Sequence, residues 1–97
     1  MTPNQIYCAN SGDSRAVLKS GKRAIALSSD HKPYDKAELR RIKKAGHTVD
    51  MQRVDGDLAL SRAFGDFNYK DKPKLKPQQQ AVTCFPDILV RKRSNKD

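Results

Sequence analysis

Asp13 is the side chain in this sequence best placed to do chemistry. It follows Gly12 inside the run Asn10-Ser11-Gly12-Asp13, between two short apolar stretches. A carboxylate at such a strand-to-strand turn projects from the end of a sheet, where it suits a hard cation such as Mg²⁺ or Mn²⁺. Arg15, two residues on, shares a side of the strand with Asp13 if the strand extends that far. By itself Asn-Ser-Gly-Asp is also ordinary hairpin punctuation. Asp55-Gly56 and Gly65-Asp66 are the other acidic turns. The chain has two histidines, His31 and His47, and two cysteines, Cys8 and Cys84, with no Cys-x-x-Cys pair, which argues against a zinc site. Both cysteines lie in apolar runs and read as buried free thiols.

The elements that position these residues are short. Ile6-Tyr7-Cys8-Ala9, Ala16-Val17-Leu18 and Ala24-Ile25-Ala26-Leu27 are separated by Gly-bearing turns, which predicts an antiparallel three-strand meander. Their consecutive apolar residues suggest burial on both faces. The period then changes. Leu39, Ile42 and Ala45 form a narrow helical stripe, Asp35 and Glu38 make an Asp-x-x-Glu pattern close to a capping box, and Gly46 suits the left-handed position after a helix. A helix is predicted over residues 36–45. Lys36, Arg40, Lys43 and Lys44 give it a basic face, with the last two where the helix dipole favours cations.

Residues 48–51 read as a short strand, and residues 54–67 as irregular with a helical turn near 61–64. Residues 68–80 carry Lys70, Lys72, Lys74 and Lys76 with Pro73 and Pro77, the pattern of an exposed loop. Val82-Thr83-Cys84-Phe85 and Ile88-Leu89-Val90 are further strand candidates. Residues 91–97 form a basic tail expected to fray.

Ninety-seven residues allow one domain with a thin stability margin. The net charge of +9 favours acidic partners: nucleic acid, anionic membrane or phosphorylated protein. Three Tyr, three Phe and no Trp supply little stacking material for single-stranded nucleic acid, and these aromatics are not interleaved with the basic residues. No signal peptide or membrane-spanning run is visible, which with the sparse cysteines fits a reducing cytoplasm or nucleus.

Three segments in order carry a resemblance. Asn10-Ser11-Gly12-Asp13-Ser14-Arg15, then Ser29-Asp30-His31-Lys32-Pro33, then Arg53-Val54-Asp55-Gly56-Asp57-Leu58-Ala59-Leu60-Ser61-Arg62-Ala63-Phe64-Gly65-Asp66 resemble signature segments of the metal-dependent protein phosphatase (protein phosphatase 2C) family. The resemblance implies an α+β fold: antiparallel strands of a partial phosphatase 2C-type β-sandwich with one short flap helix. It implies a single partial domain over residues 1–97, with residues 30–63 as a mobile flap beside the active site that helps select substrates.

The activity implied is hydrolysis of phosphoserine and phosphothreonine proteins, driven by Mg²⁺ or Mn²⁺. The family's Gly-Asp-Ser-Arg aspartate is associated with an additional, weaker metal site, and that role carries onto Asp13 alone. Asp55 stands where members more often have Asn and reads as a turn residue. Asp66 reads as a structural hydrogen-bond acceptor. His47 stands where glycine is common, which reduces backbone freedom there. Neither histidine inherits the family's acid role, which belongs to an upstream Asp-Gly-His segment.

That upstream acidic segment, an upstream phosphate-binding arginine and a downstream Asp-Gly ligand are not in this sequence. The expectation is therefore an inactive fragment that binds metal weakly or not at all. Uncovered apolar faces and strand edges lead to an expectation of self-association. The alternative is a small basic nucleic-acid-binding or interaction module, favoured by the charge and by the lysines of the 68–80 loop, but no nucleic-acid motif supports it.

Overall fold

Short apolar runs broken by turns form three separate two-stranded antiparallel ribbons rather than one continuous sheet. The computed structural model describes residues 1–97. Its elements in order are β1 (Gln5–Asn10), β2 (Val17–Ser20), β3 (Arg23–Ala26), α1 (Lys36–Lys44), β4 (Val49–Asp50), β5 (Arg53–Val54) and β6 (Asp87–Lys92). Turns of 3-10 helix lie at Phe67–Tyr69 and Pro77–Gln79.

The predicted meander is only half present. β2 pairs with β3, from Val17↔Ala26 to Ser20↔Arg23. β1 instead pairs with β6, the last strand, from Gln5↔Lys92 to Asn10↔Asp87. The physical reason lies in the segment after β1. Asn10 Nδ2 donates to the Gly12 and Ser29 carbonyls, and Gly12 exchanges bonds with His31, so the chain bends away before β2 begins. The apolar run of β1 then finds the matching run Ile88-Leu89-Val90 across the ribbon, with Tyr7 opposite Val90 and Cys8 opposite Leu89. β6 continues through Arg91 and Lys92, two residues into the expected tail.

α1 forms where its pattern predicts and ends in a Schellman motif. Ala45 is the C-cap, Gly46 sits at φ +85°, the Gly46 amide donates to the Lys43 carbonyl, and the His47 amide donates to that of Ile42. The N-terminus differs from expectation. The Asp35 side chain makes no bond to the helix and instead accepts from the Lys32 amide at 3.0 Å. Glu38 is buried and faces inward on the same side as Ile42.

The apolar core is small: Ile42, Val54 and Val82, with Val49, Leu58, Ala63 and Tyr69 packed around them. Residues 82–85 do not form the predicted strand; Val82 and Thr83 are buried, but only an isolated bridge joins Arg62 to Thr83. The helical turn falls at Phe67–Tyr69 rather than at 61–64. Both cysteines are free, but neither is buried as expected: Cys84 is exposed, in the irregular stretch before β6, and Cys8 is half-buried on β1. The 68–80 loop is pinned by buried Gln80, whose amide donates to the Lys72 and Leu75 carbonyls. No helix is long and apolar enough to cross a membrane.

Candidate functional site

Asp13 sits on a bend that two segments hold in register. Gly12 before it is buried, at φ +144°, and a Cβ there would lie 3.3 Å from the Arg62 carbonyl. The Gly12 amide donates to His31 Nδ1 at 3.1 Å, and the His31 amide donates back to the Gly12 carbonyl at 3.0 Å. One residue further on, Lys32 Nζ donates to Asp13 Oδ2 at 2.6 Å. The pair is partly exposed, and the hydrogen bond from Lys32 to Asp13 raises the lysine above its ordinary range.

Arg15 does not share this site. β2 starts only at Val17, so no strand alternation aligns Arg15 with Asp13. Its guanidinium grips Asp30 with two bonds, at 3.2 and 2.8 Å, and that contact holds Asp30 below the usual carboxylate range.

Behind the bend runs a line of polar contacts. Because the Gly12 amide can only donate, His31 Nδ1 must accept, and the ring proton belongs on Nε2. That proton points to Asp87 Oδ2 at 2.7 Å. Arg62 Nη1 donates to Asp87 Oδ1 at 3.0 Å. The His31 bond, then Arg62, holds Asp87 below its ordinary range. Arg62 reaches on to Glu38, which also accepts from Ser61 Oγ at 2.9 Å and lies 3.1 Å from Arg41 Nη1. Burial pushes the Glu38 carboxyl up, but Arg62, Arg41 and Ser61 outweigh it and leave it below its usual value.

The remaining acidic turns lie elsewhere. Asp55 occupies a left-handed turn at φ 52° and accepts from Thr48 and His47. Asp66 is also left-handed, at φ 50°, and exposed; its backbone carbonyl, not its side chain, accepts a bond, from the Tyr69 amide. His47 is bracketed by Asp55 and Asp71.

The contacts that brace the Gly12–Asp13 bend are not legible in the sequence. Lys32, His31 and Asp87 come from two distant segments, so no local pattern joins them. Glu38 carried a usable signal: it shares a helix face with Ile42 at i, i+4, and a carboxylate on an apolar stripe requires a buried cation.

The model of the family described as "Protein phosphatase 2C" matches residues 1–97. The chain belongs to the protein phosphatase 2C family. It is 50% identical over 97 residues to protein phosphatase 2C homolog 2 of Aspergillus fumigatus, covering all of this chain and 23% of that protein. It is 56% identical over 86 residues to protein phosphatase 2C homolog 2 of Saccharomyces cerevisiae, covering 89% of this chain and 18% of that one. Among solved structures, a phosphatase from a pathogenic strain of Toxoplasma gondii superposes with a TM-score of 0.86 at 46% identity, over 89% of this chain and 27% of the other. The chain thus spans only 18–27% of the length of these relatives. Its antiparallel strand pairs and single helix are a part of the phosphatase 2C fold.

Metal-dependent members of this phosphatase 2C family imply divalent cations. Nowhere in this chain do three His, Cys, Asp or Glu side chains converge in a way that could hold one. What the residues fit is narrower. Asp13 is a carboxylate on a braced bend, and the Lys32 ammonium already stands against it as a positive charge. One carboxylate oxygen pair with a lysine against it is not a cation site complete in itself.

Proposed function

We propose that these residues form part of the catalytic domain of a metal-dependent serine/threonine protein phosphatase, in which Asp13 supplies one carboxylate oxygen to a Mg²⁺ or Mn²⁺ ion. Bound cations of this kind lower the pKa of water and offset charge on phosphoryl oxygens. The chain's own share is to hold that carboxylate still and to balance it with Lys32 until a cation arrives. The observation that carries the reading is identity of half or more to phosphatase 2C proteins over 86 to 97 residues of this chain.

One carboxylate arm does not hold a cation pair, since affinity grows with the number of converging oxygens. The 97 residues alone are therefore inactive toward phosphoesters. Within the whole phosphatase, residues 30–63 act as a flap, and α1 presents Lys36, Arg40, Lys43 and Lys44, none of which is paired with an acid. Such a face favours phosphoproteins with acidic surroundings.

The test is a chimera. This sequence replaces the matching segment of the Saccharomyces cerevisiae relative, and Mn²⁺-dependent hydrolysis of a phosphothreonine peptide is followed. Retained activity that Asp13→Ala reduces at low Mn²⁺ is expected. A folded chimera without activity, or one indifferent to Asp13→Ala at every Mn²⁺ concentration, overturns the reading. Mn²⁺-dependent turnover by the 97 residues alone overturns the claim that they are inactive.

A further inference from the structure

We propose that His31 is a positioning residue for Asp13: its imidazole is the strut that fixes the direction of the Asp13 carboxylate. The inference rests on the reading of Asp13 as a cation ligand and adds the residue that makes that ligand rigid.

The geometry is a residue-by-residue pairing of two segments. Gly12 meets His31 through two hydrogen bonds, one in each direction, and Asp13 meets Lys32 through one. The two partners differ in what they can give up. Lys32 holds the carboxylate itself, through a long chain that can swing aside when a divalent ion takes its place. His31 holds the backbone immediately before the carboxylate and does not touch the metal-facing oxygens. Its side chain is only 6% exposed, and a rigid ring spans its two partners.

The ring is fixed at its far end. Asp87 accepts from Nε2 at 2.7 Å, which selects the tautomer with a bare Nδ1, and that bare nitrogen is the acceptor the Gly12 amide needs. Asp87 is itself held by Arg62, and Arg62 by buried Glu38 on α1. The carboxylate direction at Asp13 therefore depends on a line of contacts that begins in the helix. A histidine serving only to fill space would need neither bond. Here one bond is spent on the residue adjoining Asp13, and the other sets the tautomer that permits it. Partners of this outer kind change metal affinity by about 10- to 100-fold when removed.

The experiment uses the chimera with the Saccharomyces cerevisiae relative, isotope-labelled in this segment, with Mn²⁺ alone as the probe. Paramagnetic broadening of the Gly12, Asp13 and Ser14 amides reports the ion even when binding is weak, and amide exchange at Gly12 reports the hydrogen bond. His31→Asn keeps an acceptor where Nδ1 stands. His31→Gln keeps a donor toward Asp87 but removes that acceptor. The expected result is a Gly12 amide that loses protection in His31→Gln, with the Mn²⁺ midpoint raised about tenfold. His31→Asn is expected to stay within about threefold of wild type. If His31→Gln loses Gly12 protection yet keeps the wild-type midpoint, His31 is merely structural and the inference fails. If Asp13→Asn leaves the Mn²⁺ midpoint of the chimera unchanged, the cation reading of Asp13 fails and takes this inference with it. Should His31→Gln not fold, Asp87→Asn decides. It leaves His31 an acceptor but no longer dictates the tautomer, so a fewfold weaker midpoint is expected and parity overturns the proposal.

Discussion

Arg62 grips both carboxylate oxygens of Glu38, Nε to Oε1 at 2.8 Å and Nη2 to Oε2 at 3.0 Å. The same guanidinium reaches Asp87 and the Phe85 carbonyl, while Arg41 on the other side binds the carbonyls of Ser61, Gln80 and Ala81. Two arginines around one buried carboxylate thus tie α1 to residues 61–62, 80–81 and 85–87. With a core cluster of only three fully buried apolar residues, these contacts set where the irregular segments lie.

Replacing Glu38 by Gln leaves two guanidinium groups without their counter-charge in a mostly dry site. Breaking one side of a buried ion pair costs on the order of 3–5 kcal/mol, a large share of the margin available to so small a domain. Urea denaturation followed by circular dichroism is expected to show a folded wild type and a Glu38→Gln protein largely unfolded without denaturant. Midpoints within error of each other would refute this account of the network.

The same carboxylate sets an acid limit. Folded Glu38 titrates below its ordinary value of 4.5, so its stabilising contribution is fully present above that value and is lost as pH falls through the folded one. Stability is expected to drop as pH falls below about 4.5, a drop shared with Asp87, which is shifted the same way. In Arg62→Met, which removes the main stabilising partner, the Glu38 titration moves upward. A carbon-detected NMR titration of the Glu38 carboxyl reads that shift directly, and an unchanged value would contradict the assignment of its cause.

What the sequence revealed and what it hid divide along local and distant interactions. α1 was legible because its stripe, its basic last turn and Gly46 lie within a dozen residues of one another. The segments around Asp13 and Ser61 were legible as family signatures. The pairing of β1 with β6 was not, because strand partners are chosen by matching apolar runs across the whole chain, and β2 offered a nearer but unused candidate. The role of Glu38 was hidden by its spacing from Asp35, which mimics a capping box. In the fold, Asp35 turns back to Lys32 and Glu38 turns inward.

His47 forms a second charged clamp, now near neutral pH. Asp55 lies 2.6 Å from Nδ1 and Asp71 2.8 Å from Nε2, so both ring nitrogens face carboxylates and both must donate. The Tyr69 ring packs alongside at 6.0 Å, and Lys72 stands 3.9 Å from Asp71. Burial pulls His47 down, but the bonds to Asp71 and Asp55 outweigh it and raise it above 6.5. A raised histidine contributes stability that is fully present below the unfolded value and is lost as pH rises through the folded one. The urea midpoint is expected to fall as pH rises above 6.5 in the wild type. His47→Gln flattens that slope. Equal slopes in the two proteins would show that the clamp contributes nothing.

The face of the β1–β6 ribbon that carries Tyr7, Ala9, Ile88 and Val90 predicts self-association. Tyr7 opposes Val90 and Ala9 opposes Ile88, so the four side chains form one apolar cluster, with Tyr7 53%, Ile88 61% and Val90 50% exposed. The outer edges of both strands are unpaired as well. Covering the exposed half of Ile88 and of Val90 yields about half of the 1.5–3 kcal/mol of full burial, roughly 1 kcal/mol each, so two copies pair weakly and only once the backbone edges also bond. Sedimentation velocity is expected to show a monomer at low micromolar concentration shifting to dimer as concentration rises. Val90→Lys places a charge in the centre of the cluster and is expected to hold the protein monomeric. A wild-type protein that stays monomeric into the hundreds of micromolar range would mean that two ribbons alone do not cover this face.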